Sequence, residues 1–130
     1  MADSYYKPCV ELDICSELIE KYFETKQYDK CFHGHLALAR TGYPLAECQV
    51  GYFYLEGLGV EKDASQALYW TERSAIHGDR DGQYNLAWFY EDGIGVRRDI
   101  EKARYWYKQS ALQGHNLAAQ KCKTLGVEVD

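Results

Sequence analysis

The feature that most constrains this chain is internal repetition. Shifting the sequence by 36 residues lays 45–80 over 81–116, and twelve of the 36 positions are identical. Phe53-Tyr54 falls on Phe89-Tyr90, and Gly57-Leu58-Gly59-Val60 on Gly93-Ile94-Gly95-Val96. Asp63 falls on Asp99, Ala67 on Ala103, Tyr69-Trp70 on Tyr105-Trp106, Ser74-Ala75 on Ser110-Ala111, and Gly78 on Gly114. A period of this length marks a stacked array of supersecondary units, in which each unit buries its apolar face against its neighbours.

Each unit reads as two helices. The first runs over about 45–56, and again over 81–92, and the glycine pair that follows suits a tight inter-helix turn. Asp63 and Asp99 can cap the second helix, and Gln66, three residues after Asp63, completes a capping-box pattern. The second helix runs to about Ile76, and again to Leu112, before Gly78 and Gly114. Ala67, Ala75, Ala103 and Ala111 let neighbouring helices approach, while Trp70 and Trp106 are expected to fill the groove between units.

A divergent copy precedes these two. Cys31, Ala39 and Gly42 match Ala67, Ala75 and Gly78, which makes 27–41 a second helix. Leu12, Cys15, Leu18, Ile19 and Tyr22 keep helical spacing over 11–23. The double-glycine loop is missing here. At the other end, 117–125 repeats only the start of a first helix and is expected to cap the array. The expected division is 11–42, 45–78, 81–114 and 117–125, within a single repeat domain over 1–130.

The segment from Gly82 to Val96, followed by Asp99, Ala103, Trp106-Tyr107, Ala111 and Gly114, resembles the Sel-one-like repeat (SLR), a relative of the tetratricopeptide repeat. The resemblance covers 45–114 well and extends more weakly over nearly the whole chain. It implies an all-α fold: a right-handed α/α solenoid of antiparallel helix pairs, about three and a half repeats, with first helices lining a concave face. It also implies an adaptor, scaffold or binding protein, and no enzyme. A cysteine-rich bacterial branch of the family carries a paired disulfide in each repeat, and that pairing is absent here. By the same resemblance, Leu86, Ala87 and Tyr90 take packing positions, and Asp81, Tyr84, Asn85, Trp88, Glu91 and Asp92 face the groove or its rim. Their equivalents are Cys48, Gln49, Tyr52, Leu55 and Glu56 in the preceding unit, and Leu12, Ser16, Ile19 and Glu20 in the cap.

Composition narrows the partner. The net charge is −5. Residues 97–123 carry seven cations against Asp99 and Glu101, a local +5 that leaves −10 for the rest. Such a balance argues against non-specific binding of nucleic acid or anionic membrane. It suits a protein partner with an apolar anchor and a basic rim, set against Tyr52, Trp88 and their flanking carboxylates. One concrete version is an immunity protein neutralising a basic toxin such as a nuclease. The alternative is an adaptor that binds a peptide or subunit in signalling or secretion.

Other chemistry is poorly supported. His33-Gly34-His35 puts its histidines on different helix sides with no third ligand near. The glycine loop lacks the Lys-Ser/Thr of a phosphate cradle, and no catalytic motif appears. Neither metal nor cofactor is expected. His77 and His115 are expected to bond free carbonyls at helix ends. The five cysteines are odd in number without Cys-x-x-Cys, and Cys15 and Cys31 occupy small-residue positions, so they read as packing residues. With no signal-peptide pattern and no long apolar run, a cytoplasmic protein, monomeric on its own, is the expectation.

Overall fold

A computed structural model describes residues 6–129. Helix α1 spans Val10–Leu18 and continues as a π-helical stretch, Ile19–Phe23. Then come α2 (Tyr28–Ala39), α3 (Pro44–Glu56), α4 (Ala64–Ile76), α5 (Arg80–Asp92), α6 (Ile100–Leu112) and α7 (Asn116–Thr124). No strand occurs among the described residues. Each helix from α2 onward packs on the next in sequence, and α1 touches α3 as α3 touches α5. The result is an α/α solenoid of antiparallel pairs, with first helices α1, α3, α5 and α7 side by side and second helices α2, α4 and α6 behind them.

Local chemistry sets the boundaries. Gly57 and Gly93 end α3 and α5 in the left-handed region, at φ 70° and 73°. Their amides donate to Phe53 O and Phe89 O. Asp63 and Asp99 start α4 and α6, their carboxylates accepting from Gln66 N and Lys102 N at 3.1 Å. The reciprocal half of the capping box does not form. The Asp63 and Asp99 amides donate instead to Tyr54 O and Tyr90 O, at 3.0 and 2.9 Å, which pins each loop back onto its first helix. In the first unit, Lys26 takes the positive φ of 62° that glycine supplies elsewhere.

The core divides into two clusters. Cys15, Cys31, Phe32, Ala39, Ala46, Val50, Phe53 and Trp70 form the first. Ala75, Leu86, Ala87, Tyr90, Ala103, Tyr107, Ala118 and Cys122 form the second. Unit-to-unit contacts repeat with the 36-residue period. Ser74 Oγ donates to Pro44 O at 3.0 Å, and Ser110 Oγ to Arg80 O at 2.7 Å. Where later units place Trp70 and Trp106, α2 has Gly34. A side chain there would meet Leu18 of α1 at 2.5 Å. Trp106 is half-buried where Trp70 is buried, because only the short α7 and the segment holding Val127 and Val129 follow it. All five cysteines are free. Burial pushes the Cys15 and Cys31 thiols up to about 12 and about 11, which keeps them protonated and inert at neutral pH.

Two histidines act differently from the carbonyl-capping role expected of them. His77 Nδ1 lies 2.7 Å from the fully buried Glu47 carboxylate, which also binds Arg73 at 3.2 Å. His115 starts a helix: its Nδ1 accepts from Ala118 N at 3.2 Å as the cap of α7. Among the described residues, no helix is long and apolar enough to cross a membrane.

Candidate partner-binding groove

The first helices form one layer of the solenoid, the face where the sequence puts the groove. Residues three and four apart on α5 share one side, and this side carries Asp81, Tyr84, Asn85, Trp88 and Asp92. On α3 the same register carries Gln49, Tyr52 and Glu56. Tyr52 is 41% exposed, and Gln49, Asn85 and Trp88 are half-buried. Trp88 Nε1 donates to Asp92 Oδ2 at 2.8 Å, which fixes the indole edge and leaves the carboxylate at the rim. Glu56 and Asp92 are exposed. Asn85 Nδ2 donates to Cys48 Sγ at 3.7 Å, so α3 and α5 meet along this face. Cys48 is itself buried and forms the floor.

Toward α7 the surface becomes a network. His115 stacks on Tyr84 with ring centres 4.6 Å apart, and its Nε2 lies 3.1 Å from Asp81. Burial holds the His115 pKa below its ordinary value despite the attraction of Asp81. Glu91, placed on the rim by the sequence, is half-buried and already engaged. It accepts from Tyr107 OH at 2.6 Å and from Lys121 Nζ at 3.1 Å. Burial alone would raise the Glu91 pKa, but these two donors outweigh it and hold the carboxyl below the usual range.

Sequence reasoning missed three participants. His115, the cap of α7, and Lys121 on α7 reach the face, and Asp13 takes the same register on α1. The 36-residue shift carries the signal, since it aligns Asp13 with Gln49, Asn85 and Lys121. Around α1, Asp13, Ser16, Glu17, Glu20 and Lys21 line an open depression of about 520 Å³. Three of these five side chains are carboxylates, so part of the acidic side of the charge division lies here.

Among the described residues, no three His, Cys, Asp or Glu side chains converge on a metal position. His33 is exposed and bonds Asp29 O, while His35 is buried and bonds Cys31 O. Tyr52, Trp88 and the exposed carboxylates Glu56 and Asp92 are the side chains this face offers to solvent.

The Sel1 repeat family model matches residues 44–79 and 80–115. The chain belongs to the Sel1 repeat family. Sel1 repeat proteins form a protein-interaction scaffold fold. A Sel1 repeat protein from Oxalobacter formigenes has a similar structure, with TM-score 0.78 and 30% identity, covering 91% of this chain and 49% of that one. A second similar structure is c5321, a protective antigen present in uropathogenic Escherichia coli strains that displays an SLR fold. Its TM-score is 0.78 at 28% identity, covering 91% of this chain and 26% of that one. Cysteine-rich protein B of Helicobacter pylori shares the fold at TM-score 0.68 and 19% identity, covering 86% of this chain and 96% of that one. This chain thus spans about half the length of the first structure and about a quarter of the second. No curated protein matches in sequence. The Sel1 repeat boundaries place the groove residues of α3 and α5 at equivalent positions of two successive matched units.

Proposed function

We propose that the protein binds one protein partner through the inner face of its first helices, by means of Tyr52 and Trp88 with Gln49, Glu56, Asp81, Tyr84, Asn85 and Asp92. The supporting observation is the pairing of Tyr52 and Trp88 at one register of successive units, rimmed by exposed carboxylates. A large aromatic set in a partly dry surface is the residue type that dominates binding energy. Carboxylates at the edge favour a basic partner and speed its encounter. An inhibitor that neutralises a basic toxin domain in the cytoplasm is the concrete form of this reading.

The test is affinity capture with the intact chain, identification of the captured protein by mass spectrometry, and titration of groove variants against it. Trp88→Ala and Tyr52→Ala are each expected to weaken binding by about tenfold or more. Glu61→Ala, at an exposed position outside the groove, is expected to leave it unchanged. Equal binding by all three variants sinks the groove reading. The partner's chemistry then separates the two forms of the function. A basic globular partner with strong salt dependence supports the inhibitor, and an apolar peptide with little salt dependence supports the adaptor.

A further inference from the structure

The groove leaves unused four exposed large hydrophobic side chains on the backs of α4 and α6. Ser65, Tyr69, Glu72 and Ile76 fall at steps of four, three and four along α4, on one side of the helix. Glu101, Tyr105, Lys108 and Leu112 do the same along α6. Tyr69 is 51% exposed, Ile76 65%, Tyr105 56% and Leu112 50%. Each tyrosine is braced by the tryptophan after it. Tyr69 stands edge-on to Trp70 at 5.1 Å, and Tyr105 edge-on to Trp106 at 5.0 Å. Two rings held in one orientation lose little freedom when covered.

The charged rung between the apolar ones decides what covers them. Position for position, Glu72 on α4 corresponds to Lys108 on α6. Neither joins an ion pair among the described residues. The two helices therefore present matching apolar rungs and opposite charges. A two-fold axis parallel to the helices, lying between them, sets α4 of one copy along α6 of another, twice. Tyr69 then meets Tyr105, Ile76 meets Leu112, and Glu72 meets Lys108 of the second copy. Pairing α4 with α4 would instead oppose Glu72 to Glu72. The matching positions are His33 on α2 and Arg40 just past its end, so the apolar ladder stops at α4 and the interface is bounded there.

We propose that this outer face is a self-association surface, on which two copies pair α4 with α6 about a two-fold axis. The contact is self-complementary and closes on itself, so it yields dimers and no fibres. Two short helix stripes make a small interface, which gives a weak dimer that fills as concentration rises. The first helices lie on the opposite side of each copy, so both grooves stay open. The monomer expected from the sequence becomes the dilute state.

Sedimentation of the full chain over a concentration series tests this. The expected result is a reversible monomer–dimer equilibrium. Tyr105→Ala should weaken it, and Glu72→Lys should weaken it by about tenfold or more, by setting like charges together at both symmetric contacts. Adding Lys108→Glu to Glu72→Lys should bring the constant back to within about threefold of the natural chain, because opposite charges again face each other. These positions are exposed or half-buried, and unchanged far-ultraviolet circular dichroism confirms that the variants fold. A chain that stays monomeric at every concentration overturns the proposal. So does a dimer indifferent to Tyr105→Ala and Glu72→Lys, or a double variant that does not recover. A monomer that binds lipid vesicles through Tyr69 and Tyr105 overturns it as well.

Discussion

At the scale of single residues, the second glycine of each loop carries a constraint that the first does not. Gly59 and Gly95 both hold positive φ, 68° and 66°. A Cβ on Gly59 would stand 2.4 Å from the Tyr28 carbonyl, and one on Gly95 would stand 2.5 Å from Ala64 O. Each glycine thus lets the loop of one unit touch the second helix of the unit before it. Gly126 has the same kind of φ, 69°, with nothing within 4 Å of an added Cβ. The two sites separate backbone strain from collision. Gly126→Ala should cost about 1 kcal/mol, for the left-handed conformation alone. Gly95→Ala should cost about 3 kcal/mol, since the clash is with backbone that cannot swing away. Urea unfolding of the two variants measures the difference. The turn itself was legible in the sequence, because paired glycines announce a break in a helical pattern. The contact was not, because it joins residues about thirty positions apart whose meeting depends on how units stack.

At the scale of helices, the position that starts each first helix changes chemistry along the array: Tyr43 before α3, Asp79 before α5 and His115 before α7. Asp79 is buried, and its carboxylate accepts from Gly82 N at 2.7 Å and from Tyr6 OH, with Ser74 Oγ 3.3 Å away. Burial raises its pKa in spite of these donors. His115 can cap only while its Nδ1 is unprotonated, and burial depresses its pKa below 6.5. The unfolded chain then takes up a proton that the folded chain refuses. Stability contributed by this site is complete above 6.5 and is lost as pH falls below it toward the folded value. His35, buried with Nε2 unpartnered among the described residues, has the same sign. Replacing His115 with Asn, which caps without titrating, should reduce the loss of stability between pH 7 and pH 5 without abolishing it. Urea midpoints at the two pH values check this, and an unchanged slope would remove His115 from the account. The helices were legible from periodicity and glycine. The histidine's role was hidden because its sequence position fits the end of one helix as well as the start of the next.

At the scale of the whole molecule, Glu91 shows why a groove read from a helical pattern is only partly a groove. Its register on α5 puts it beside Trp88 and Asp92, which made it a rim residue in the sequence. Folding brings Tyr107 from α6 and Lys121 from α7 onto the same carboxylate, at 2.6 and 3.1 Å, so it closes the second core cluster at the C-terminal end. Tyr107 is fully buried, and without Glu91 its hydroxyl would lose its acceptor. Glu91→Ala should therefore cost about 2–3 kcal/mol, the penalty of a stranded buried donor. Asp92→Ala, which removes only the bond to Trp88 at an exposed position, should cost about 0.5 kcal/mol. Because an array of repeats is stabilised by nearest-neighbour contacts, the loss should be uneven. Amide exchange should accelerate across α6 and α7 in Glu91→Ala while α2, in the other cluster, changes little. The lowered pKa adds a second signature. This carboxylate stabilises the fold above the unfolded value of 4.5, and that contribution disappears as pH falls through the folded value. Glu91→Gln should flatten the acid limb of the stability profile below 4.5. If α2 and α7 lose protection equally, the two clusters unfold as one unit and the three-helix contact is a global brace.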